Sequence, residues 1–530
     1  MDRNKNISKA QDGNIEWDIV VIGGGASGLG IALDGLSRGL SVLLLEKHDF
    51  AKGTSSRSTK LLHGGVRYLA QGDVQLVLEA LRERGRIMKN APHVSRRQAF
   101  IIPLYSLWGQ IKYGLGLKIY DLMAGKLRIG RSTLLSRKAT LEQLPNVNPK
   151  GLKGGVKYYD GQFDDARLAI NVAQTCDEMG GCLLNYASVS ALLKDADGQV
   201  TGCRATDELS GQPFEVRGKA IVNATGVFAD QVLRMDQPSA RKSIVPSQGI
   251  HLTLDLSFLG GQQALMIPQT SDGRVLFGIP WHGQLIVGTT DTLVEQPSLE
   301  PEALEKEIRF ILDTCAQYLV RPPKRSDVKA VFAGLRPLAA PKAEGASTKE
   351  ISRSHKITLS ESGLFSLIGG KWTTFRQMGE DTIDRIIQER GWNGAAGSQS
   401  ASRAIHGHTT GDGRVPDGHW AVYGSDAAQI KALSKALQDG AQLLAHGYPY
   451  TKAEVVWMAR HEMAMRVEDV LARRTRLLFL DAAAALSAAP KVARWLAEEQ
   501  GQGPVWEEQE VLSFAQTAAA YQLNGRGKTS

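Results

Sequence analysis

The sequence lacks the features of disulfide-rich, zinc-binding and membrane-spanning proteins. Only four of its 530 residues are cysteine, and no two of them form a C-x-x-C pair, which argues against a disulfide framework and a zinc site. No uninterrupted apolar run of about 18 residues occurs, so we expect no membrane-spanning helix. The first residues are polar and lack the apolar region of a secretory signal. These absences favour a globular protein of a reducing compartment.

Two catalytic motifs are also absent. The segment "HEMAM" at 461–465 lacks the second histidine of the H-E-x-x-H zinc motif. A phosphate-binding loop of the form G-x-x-x-x-G-K-[ST] does not occur either, because Trp372 follows the lysine of "GGK" at 369–371. We therefore expect no bound metal and no P-loop chemistry.

The length and composition predict several domains. A chain of 530 residues exceeds one ordinary core and is expected to form roughly two to four domains. Beyond Gly391 the sequence becomes rich in Gly, Ala and Ser, which is typical of a linker, and the residues after it have helical periodicity. The predicted division is a polar extension (1–16), a main unit (17–390), a linker (391–405) and a helical C-terminal domain (406–530).

Residues 18–46 predict a nucleotide-binding turn within a strand–helix–strand unit. Gly23, Gly25 and Gly28 form G-x-G-x-x-G directly after the strand "DIVVI", and the next strand ends in Glu46. Such glycines permit a tight turn, close approach of the pyrophosphate and close packing of the helix, whose N-terminal N–H groups face the phosphates. Since Glu46 suits ribose hydroxyls and disfavours a 2′-phosphate, FAD or NAD fits better than NADP.

Further turns of small residues favour FAD over NAD. The run "GTSSRSTKLLHGGVRYL" is dense in hydroxyls, glycines and cations, and the segments "AIVNATG" and "SLIGGKWTTF" each contain a strand that ends in small residues. Turns so far apart in sequence suit one extended cofactor, whereas an NAD enzyme usually needs only the first. The additional candidates for contact with FAD are Thr54, Ser55, Ser58, Thr225, Gly226, Gly370 and Thr373.

Seven segments together resemble the FAD-dependent, quinone-linked glycerol-3-phosphate dehydrogenases. They are "VVIGGGASGLGIALD", "TSSRSTKLLHGGVRYL", "DDARL", "VNATG", "IPWHGQLIVGTTD", "AGLRPL" and "GGKWTTFR". The resemblance implies an α/β fold in which a Rossmann-like FAD domain is interleaved with an antiparallel β-sheet substrate domain, followed by an all-α C-terminal domain. It also implies oxidation of sn-glycerol 3-phosphate to dihydroxyacetone phosphate, with hydride passing to flavin N5 and electrons to a membrane quinone.

The substrate that the resemblance implies requires a cationic clamp and a base. Arginine suits phosphate through its planar fork, and histidine has the side-chain pKa nearest neutrality for taking the hydroxyl proton. The family-like segments supply Arg67, Tyr68, Arg353 and Lys371 as candidates for substrate binding, and His63, His251 and Arg336 as candidates for catalysis. The sequence does not decide which histidine is the base. The guanidinium of Arg336 would lower a histidine pKa or stabilise an alkoxide.

Positive charge is concentrated in one part of the chain. Between Arg82 and Lys138 there are thirteen Lys or Arg residues and only two acidic residues. Within this part, residues 99–131 mix apolar and aromatic side chains with spaced cations, as segments at an anionic membrane surface do, and each cation adds ~1 kcal/mol there. We expect a cytoplasmic protein that is peripheral on the inner face of the cytoplasmic membrane. No nucleic-acid-binding motif accompanies the charge, so we expect no nucleic acid partner.

Three alternatives stay open. A glycerol-3-phosphate oxidase would pass its electrons to oxygen, an amine or amino-acid oxidase of the same fold would need a carboxylate clamp, and a flavin-stabilised scaffold would bind flavin without turnover. The sequence does not distinguish quinone from oxygen as acceptor. It also leaves open a homodimer and the role of the C-terminal domain. The run "RRTR" at 473–476 is expected to lie on a solvated helix face, although the family resemblance also allows it to support the lid of the active site.

Overall fold

The strands of the computed structural model form two sheets. The residues described are 1–64, 74–123, 125, 128–340, 355–409, 415–416 and 418–523, without the side chains of 107, 108 and 110–112. Numbered along the chain, the strands of the first sheet are β1 (Glu16–Ile22), β2 (Val42–Leu45), β7 (Cys182–Leu184), β8 (Ala187–Lys194), β9 (Val200–Asp207), β10 (Pro213–Asn223), β17 (Lys356–Leu359) and β18 (Phe365–Ile368). Those of the second sheet are β3 (Leu61–Leu62), β4 (Ser95–Leu104), β5 (Thr133–Ser136), β6 (Gly154–Phe163), β11 (Ile244–Asp255), β12 (Ala264–Ile267), β13 (Leu276–Trp281), β14 (Gln284–Gly288), β15 (Thr292–Leu293) and β16 (Ala330–Ala339).

The helices surround both sheets and make up most of the C-terminal part. They are α1 (Arg3–Ala10), α2 (Ala26–Ser37), α3 (Val74–Asn90), α4 (Leu107–Met123), α5 (Arg137–Gln143), α6 (Asp165–Glu178), α7 (Ala229–Asp236), α8 (Glu305–Tyr318), α9 (Phe375–Arg390), α10 (Ala427–Ala436), α11 (Lys452–His461), α12 (Leu477–Leu480), α13 (Ala482–Gln500) and α14 (Pro504–Ala519). A π-helical turn, Asp469–Arg474, lies between α11 and α12. The chain alternates between the two sheets before it enters the final helices, which confirms the predicted α/β fold with an interleaved sheet and an all-α end.

The first sheet is largely parallel and fully covered. Its central order is β18-β10-β1-β2-β7, and all four pairings in this order are parallel. The apolar strands β1 and β2 have no exposed face because helices cover parallel sheets on both sides. Helix α2 packs against α9 so closely that a Cβ on Gly30 would overlap the carbonyl oxygen of Phe375. The strand–helix–strand unit predicted around the glycine loop is therefore present.

The residues at both predicted boundaries of the main unit pack against the first sheet and its helices. In the polar extension, α1 buries Arg3, whose guanidinium pairs with Asp207 of β9. In the predicted linker, the hydroxyls of Ser398 and Ser400 both donate to Asp34 of α2. The predicted division of the chain at 1–16 and 391–405 stays a prediction, because packing of this kind does not fix a domain boundary.

The predicted membrane-interface segment 99–131 consists of two different parts. Residues 99–104 belong to the buried strand β4, which pairs with β6 through the core of the second sheet. Exposure of apolar side chains begins only in α4, where Leu115 and Leu122 are exposed. The expectation of one continuous interfacial segment was wrong for residues 99–104. Composition did not reveal this, because an apolar run followed by cations occurs in buried strands as well as at membrane surfaces.

The arginines of "RRTR" are buried, so the prediction of a solvated helix face was wrong. Arg474 donates to Asp49 Oδ1 over 2.9 Å, and the guanidinium of Arg473 pairs with the same carboxylate. Arg476 donates to Asp165 Oδ1 over 2.9 Å. Although burial raises the pKa of Asp49, the guanidiniums of Arg474 and Arg473 hold it below its ordinary value. These ion pairs join the C-terminal helices to the part of the chain that carries the first sheet.

Removal of Asp49 is expected to destabilise the fold strongly. The substitution Asp49→Ala leaves two buried guanidiniums without their shared carboxylate, which costs roughly 3–5 kcal/mol. The matched control is Arg204→Ala, which breaks the solvent-exposed pair with Glu215 between β9 and β10 and should cost less than about 1 kcal/mol. Urea unfolding followed by tryptophan fluorescence measures both losses. Equal losses would contradict the structural role given to the buried pairs.

Candidate functional site

A cavity of about 560 Å³ opens at the carboxyl ends of the parallel strands. Its walls include residues that directly follow four strands: Gly23 after β1, Glu46 after β2, Ala224 after β10 and Gly369 after β18. Because these strands are parallel and adjacent, their carboxyl ends meet at one edge of the sheet, which is where open α/β sheets bind their ligands.

The glycine loop forms one wall of this cavity and cannot carry side chains. Gly23 has a φ of +112°, and a Cβ there would lie 2.7 Å from the carbonyl oxygen of Ala224. A Cβ on Gly28 would overlap the carbonyl oxygen of Gly23. Helix α2 begins immediately after Gly25, so its first N–H groups lie at the cavity. One of them, on Ala26, donates to Ser55 Oγ over 2.9 Å.

Glu46 fixes the glycine loop as well as lining the cavity. Its carboxylate accepts the N–H of Gly24 over 2.6 Å and the N–H of His48 over 2.9 Å. Burial raises the pKa of Glu46, while these two backbone donors oppose the shift. A carboxylate held in this way presents its remaining lone pairs to a hydroxyl-bearing ligand.

The other predicted cofactor residues divide into two groups. Besides the glycine loop and Glu46, those that line the cavity are Thr54, Ser55, Thr225, Gly226 and Gly370. Gly28, Ser58 and Thr373 do not line it in the described structure. Ser58 Oγ instead donates to Asp165 Oδ2 over 2.7 Å, Thr373 is buried in the turn Trp372–Thr374, and Gly28 acts through close packing. The neighbouring Trp372, which the sequence did not single out, lines the cavity and donates from Nε1 to the carbonyl oxygen of Ser55 over 2.7 Å.

One face of the second sheet carries two of the predicted catalytic residues. In the antiparallel pair of β11 and β16, Ser247 lies opposite Arg336 and His251 lies opposite Phe332. Since side chains alternate along a strand, Arg336, Phe332 and His251 share a face. Gly249 lies between them, and a Cβ there would overlap the guanidinium of Arg336. The absence of a side chain at this position lets the guanidinium lie flat across the sheet.

Arg336 is held in place by neighbouring residues on the loop after β14. Its Nη2 donates over 3.1 Å to Thr289 Oγ1 and over 3.1 Å to the carbonyl oxygen of Thr290. Its Nη1 lies 3.4 Å from Asp291 Oδ1. The side chain keeps about 29% of its surface exposed. Arg336 is thus oriented by protein groups and still accessible to a small anionic or alkoxide ligand.

His251 lies in a closed slot on the same face. Its ring stacks on Phe332 with centroids 4.8 Å apart, and a Cβ on Gly288 would overlap its Cδ2. His251 Nε2 lies 3.0 Å from Thr59 Oγ1, whereas Nδ1 has no hydrogen-bond partner among the described residues. Burial, together with the charges of Lys60 and Arg336, lowers the pKa of His251 well below its usual value. The imidazole is therefore neutral at physiological pH.

A short segment joins the cavity to this face. Thr54 lines the cavity and donates to the carbonyl oxygen of Leu335 over 2.6 Å, and Arg57 lies so close to β16 that a Cβ on Gly334 would come within 2.8 Å of its carbonyl oxygen. Thr59 then reaches His251. Six residues thus connect the cavity wall to the predicted catalytic side chains.

The remaining candidates differ in what the structure says about them. His63 follows β3 and is half-buried, and Lys371 lines the cavity beside the turn that contains Trp372. Arg67, Tyr68 and Arg353 lie outside the described residues. The predicted phosphate clamp therefore stays a prediction, and Lys371 is the only one of its members within the described part of the chain.

Sequence reasoning missed Lys60, which is fully buried. Its ammonium donates to Asp165 Oδ2 over 2.7 Å and lies 5.3 Å from the ring centre of Phe332, the residue on which His251 stacks. No local pattern marks this lysine, because it stands in a run of hydroxyl and cationic residues that is typical of a surface loop. Its carboxylate partner lies 105 residues further along the chain.

Comparisons with known proteins agree with this arrangement. Residues 18–375 match the family described as FAD dependent oxidoreductase, and residues 388–511 match the C-terminal domain of alpha-glycerophosphate oxidase. The mitochondrial glycerol-3-phosphate dehydrogenase SDP6 of Arabidopsis thaliana is 39% identical over 523 residues, which cover 91% of this chain and 82% of that protein. The human mitochondrial glycerol-3-phosphate dehydrogenase is 37% identical over 547 residues, which cover 97% and 74%.

A solved structure is also similar over the whole chain. The glycerol-3-phosphate dehydrogenase of Bacillus halodurans, complexed with FAD, has a TM-score of 0.80 and 28% sequence identity, and the match covers 99% of this chain and 98% of that one. The relatives therefore share both the sheet-based part and the C-terminal helices. The chain belongs to the family of FAD-dependent glycerol-3-phosphate dehydrogenases.

Proposed function

We propose that the protein oxidises sn-glycerol 3-phosphate to dihydroxyacetone phosphate. The observation that carries this proposal is the short connection between the cavity at the strand ends and the sheet face with His251 and Arg336. A dinucleotide in the cavity and an alcohol on that face would be neighbours. The family to which the chain belongs supports the choice of substrate.

The cavity suits FAD, which accepts a hydride when bound. Its glycine wall leaves space that a Cβ would fill, and the N-terminus of α2 supplies N–H groups for a pyrophosphate. We assign Gly23 and Gly25 to the phosphates and Glu46 to the ribose. Thr54, Ser55, Thr225, Gly226 and Gly370 would hold the rest of the cofactor, and Gly28 would keep the loop in shape.

Removal of the alcohol proton is assigned to His251. In the neutral tautomer whose Nε2–H donates to Thr59 Oγ1, Nδ1 carries the lone pair that accepts a proton. Arg336, held by Thr289 and Thr290, would stabilise the negative charge that develops on the substrate oxygen. His63 is kept as the second candidate for the base, and Lys371, Arg67, Tyr68 and Arg353 are assigned to the phosphate.

The electron acceptor is proposed to be a quinone in a membrane that the protein contacts at α4. Leu115, Ile119 and Leu122 are exposed at helical spacing on this helix, and the exposed Leu134 of β5 lies beside it, close to Gly114. These four side chains form what we term the apolar patch. Exposed cations close to it in sequence include Lys118, Arg131 and Arg137. Such a surface suits the anionic inner face of the cytoplasmic membrane.

No described helix combines the length and the hydropathy that crossing a bilayer requires. The contact proposed is accordingly one in which the apolar patch enters only the interfacial region. A quinone would then reach the protein from the lipid side.

Addition of sn-glycerol 3-phosphate to the anaerobic holoprotein is expected to bleach the visible flavin bands. Replacement of His251 by asparagine should slow this reduction by about 10²–10⁴-fold, the usual contribution of a general base, whereas His63→Asn should slow it less. Stopped-flow absorbance at the flavin maximum measures both rates. Glycine and proline serve as control substrates, because a glycine oxidase and an L-proline dehydrogenase have a similar fold.

Four outcomes would contradict the proposal or its finer parts. Bleaching by an amino acid but not by the phosphate ester would replace the substrate, and bands that persist with both would favour a scaffold. A larger loss for His63→Asn than for His251→Asn would transfer the base to His63. Rapid reoxidation by air with formation of peroxide, and no reaction with a soluble quinone, would favour the oxidase.

Loss of flavin is expected when a side chain enters the glycine loop. The substitution Gly28→Ala places a Cβ against the carbonyl oxygen of Gly23, so the loop must open and the purified protein should retain less than about a tenth of the wild-type flavin. Gly13→Ala is the control, since a Cβ there meets nothing within 4 Å. The ratio of flavin absorbance to protein absorbance measures occupancy. Full occupancy in Gly28→Ala would contradict the assignment of the loop.

Binding to anionic vesicles is expected to depend on the apolar patch. Because each buried leucine contributes roughly 1.5–3 kcal/mol, the double variant Leu115→Ser/Leu122→Ser should bind vesicles of phosphatidylglycerol at least about tenfold more weakly. Leu512→Ser is the control, since this exposed leucine lies on α14. Cosedimentation with phosphatidylglycerol and with phosphatidylcholine vesicles measures the affinities. Equal weakening by both variants, or no preference for anionic lipid, would contradict the proposed surface.

A further inference from the structure

Lys60 is a buried lysine whose partners lie around the proposed base. Its ammonium donates to the carbonyl oxygen of Ser56 over 2.6 Å and to Asp165 Oδ2 over 2.7 Å. It also lies 5.4 Å from the ring centre of Trp281 and 5.3 Å from those of Phe332 and Phe479. The buried ammonium is stabilised by cation–π contacts with three aromatic rings and by an ion pair with one carboxylate. We term these four side chains the cage of Lys60.

Two contacts connect this lysine to His251. The residue before it, Thr59, places its hydroxyl 3.0 Å from His251 Nε2. Phe332 has the ammonium near its ring and stacks on the imidazole with an interplanar angle of 16°. Lys60 itself has a φ of +63°, a left-handed conformation that is costly for any residue with a Cβ. The anchoring of the ammonium therefore holds the turn that presents Thr59.

We propose that Lys60 is a positioning residue for the oxidation of the alcohol, which holds Thr59 and Phe332 against His251 and places a cation near the imidazole. This proposal rests on the role of His251 given above. Lys60 does not need to touch the substrate. Its effect is to hold Thr59 Oγ1 where it accepts the Nε2–H of His251, which leaves Nδ1 as the atom that accepts the proton.

The charges around the cage are consistent with this role. The cations that act on His251 are Lys60 and Arg336, and burial acts in the same direction on its pKa. Lys60 is faced by the carboxylates of Asp165 and Asp164 and by the guanidinium of Arg476. Burial lowers the pKa of Lys60 to about 7, with Arg476 contributing and Asp165 opposing the shift. Because the pKa of His251 is lowered, the imidazole takes up a proton only at a pH well below 6.5, and in that pH range the ammonium of Lys60 is charged.

The charge of Lys60 is tested by Lys60→Gln. Loss of a cation near His251 raises the pKa of the imidazole, so the neutral form is lost at a higher pH. The acid limb of the rate of flavin reduction by sn-glycerol 3-phosphate should move upward by about one pH unit. Lys60→Arg keeps the charge and should restore the wild-type limb. Anaerobic stopped-flow measurements on the holoenzymes between pH 5 and 9 give these profiles.

The matched control is Arg476→Met. Arg476 donates to the same two acceptors as Lys60, the carbonyl oxygen of Ser56 and the carboxylate of Asp165, but contacts neither Phe332 nor Thr59 in the described structure. Its loss should lower the melting temperature and leave the acid limb in place, as expected for a purely structural cation. An unchanged limb in Lys60→Gln, or an equal shift in Arg476→Met, would overturn the proposal.

If Lys60→Gln does not fold, a second variant tests the proposed orientation of His251. Thr59→Val keeps the shape of the side chain and removes its contact with His251 Nε2. The maximal rate of flavin reduction should fall by about tenfold, as the loss of one orienting hydrogen bond implies, while the half-saturating substrate concentration changes less than about twofold. An unchanged maximal rate would overturn the proposal. Failure of the wild-type flavin to be reduced by sn-glycerol 3-phosphate would instead refute the proposed function itself.

Discussion

The carboxylate of Asp165 is the group on which the arrangement of this molecule depends. At the start of α6 it accepts from Lys60 and Ser58 through Oδ2 and from Arg476 through Oδ1. These three partners belong to the segment that leads from the cofactor cavity to the second sheet and to the C-terminal helices. One buried side chain thus fixes the relative positions of the FAD-binding part, the sheet face and the helical domain.

Burial of so many charges is costly unless each has a partner at good geometry. Around this junction the condition is met: Arg167 forms a two-pronged pair with Glu462, at 2.6 and 2.9 Å, and Asp49 serves two arginines. Such pairs contribute little net stability compared with well-packed apolar residues, yet the loss of one member leaves an unpaired buried charge. Their effect is therefore to make one relative arrangement of the domains much better than any other.

The sequence predicted the features whose cause is local. The glycines, the helix after them and Glu46 lie within one strand–helix–strand unit, so their roles in the turn are set by residues less than thirty positions apart. By contrast, the burial of Arg474 depends on Asp49, which is 425 residues away, and the run "RRTR" alone has the composition of an exposed helix. Lys60 and the buried part of 99–131 were missed for the same reason, because burial is decided by distant partners.

His251 combines a feature set by local sequence, its place on a strand, with a feature set by distant partners, its burial among charged residues. Burial lowers the pKa of His251, and the charges of Lys60 and Arg336 act in the same direction. Lys60 forms its buried ion pair with Asp165, and Asp165 is shared with Arg476 of the C-terminal helices. Asp165 thus anchors both Lys60, which lies near the proposed base, and Arg476, which belongs to the C-terminal helices. It follows that the carboxylate that holds Lys60 in place is itself held by the helical domain, although the side chains of the proposed site lie on other parts of the chain.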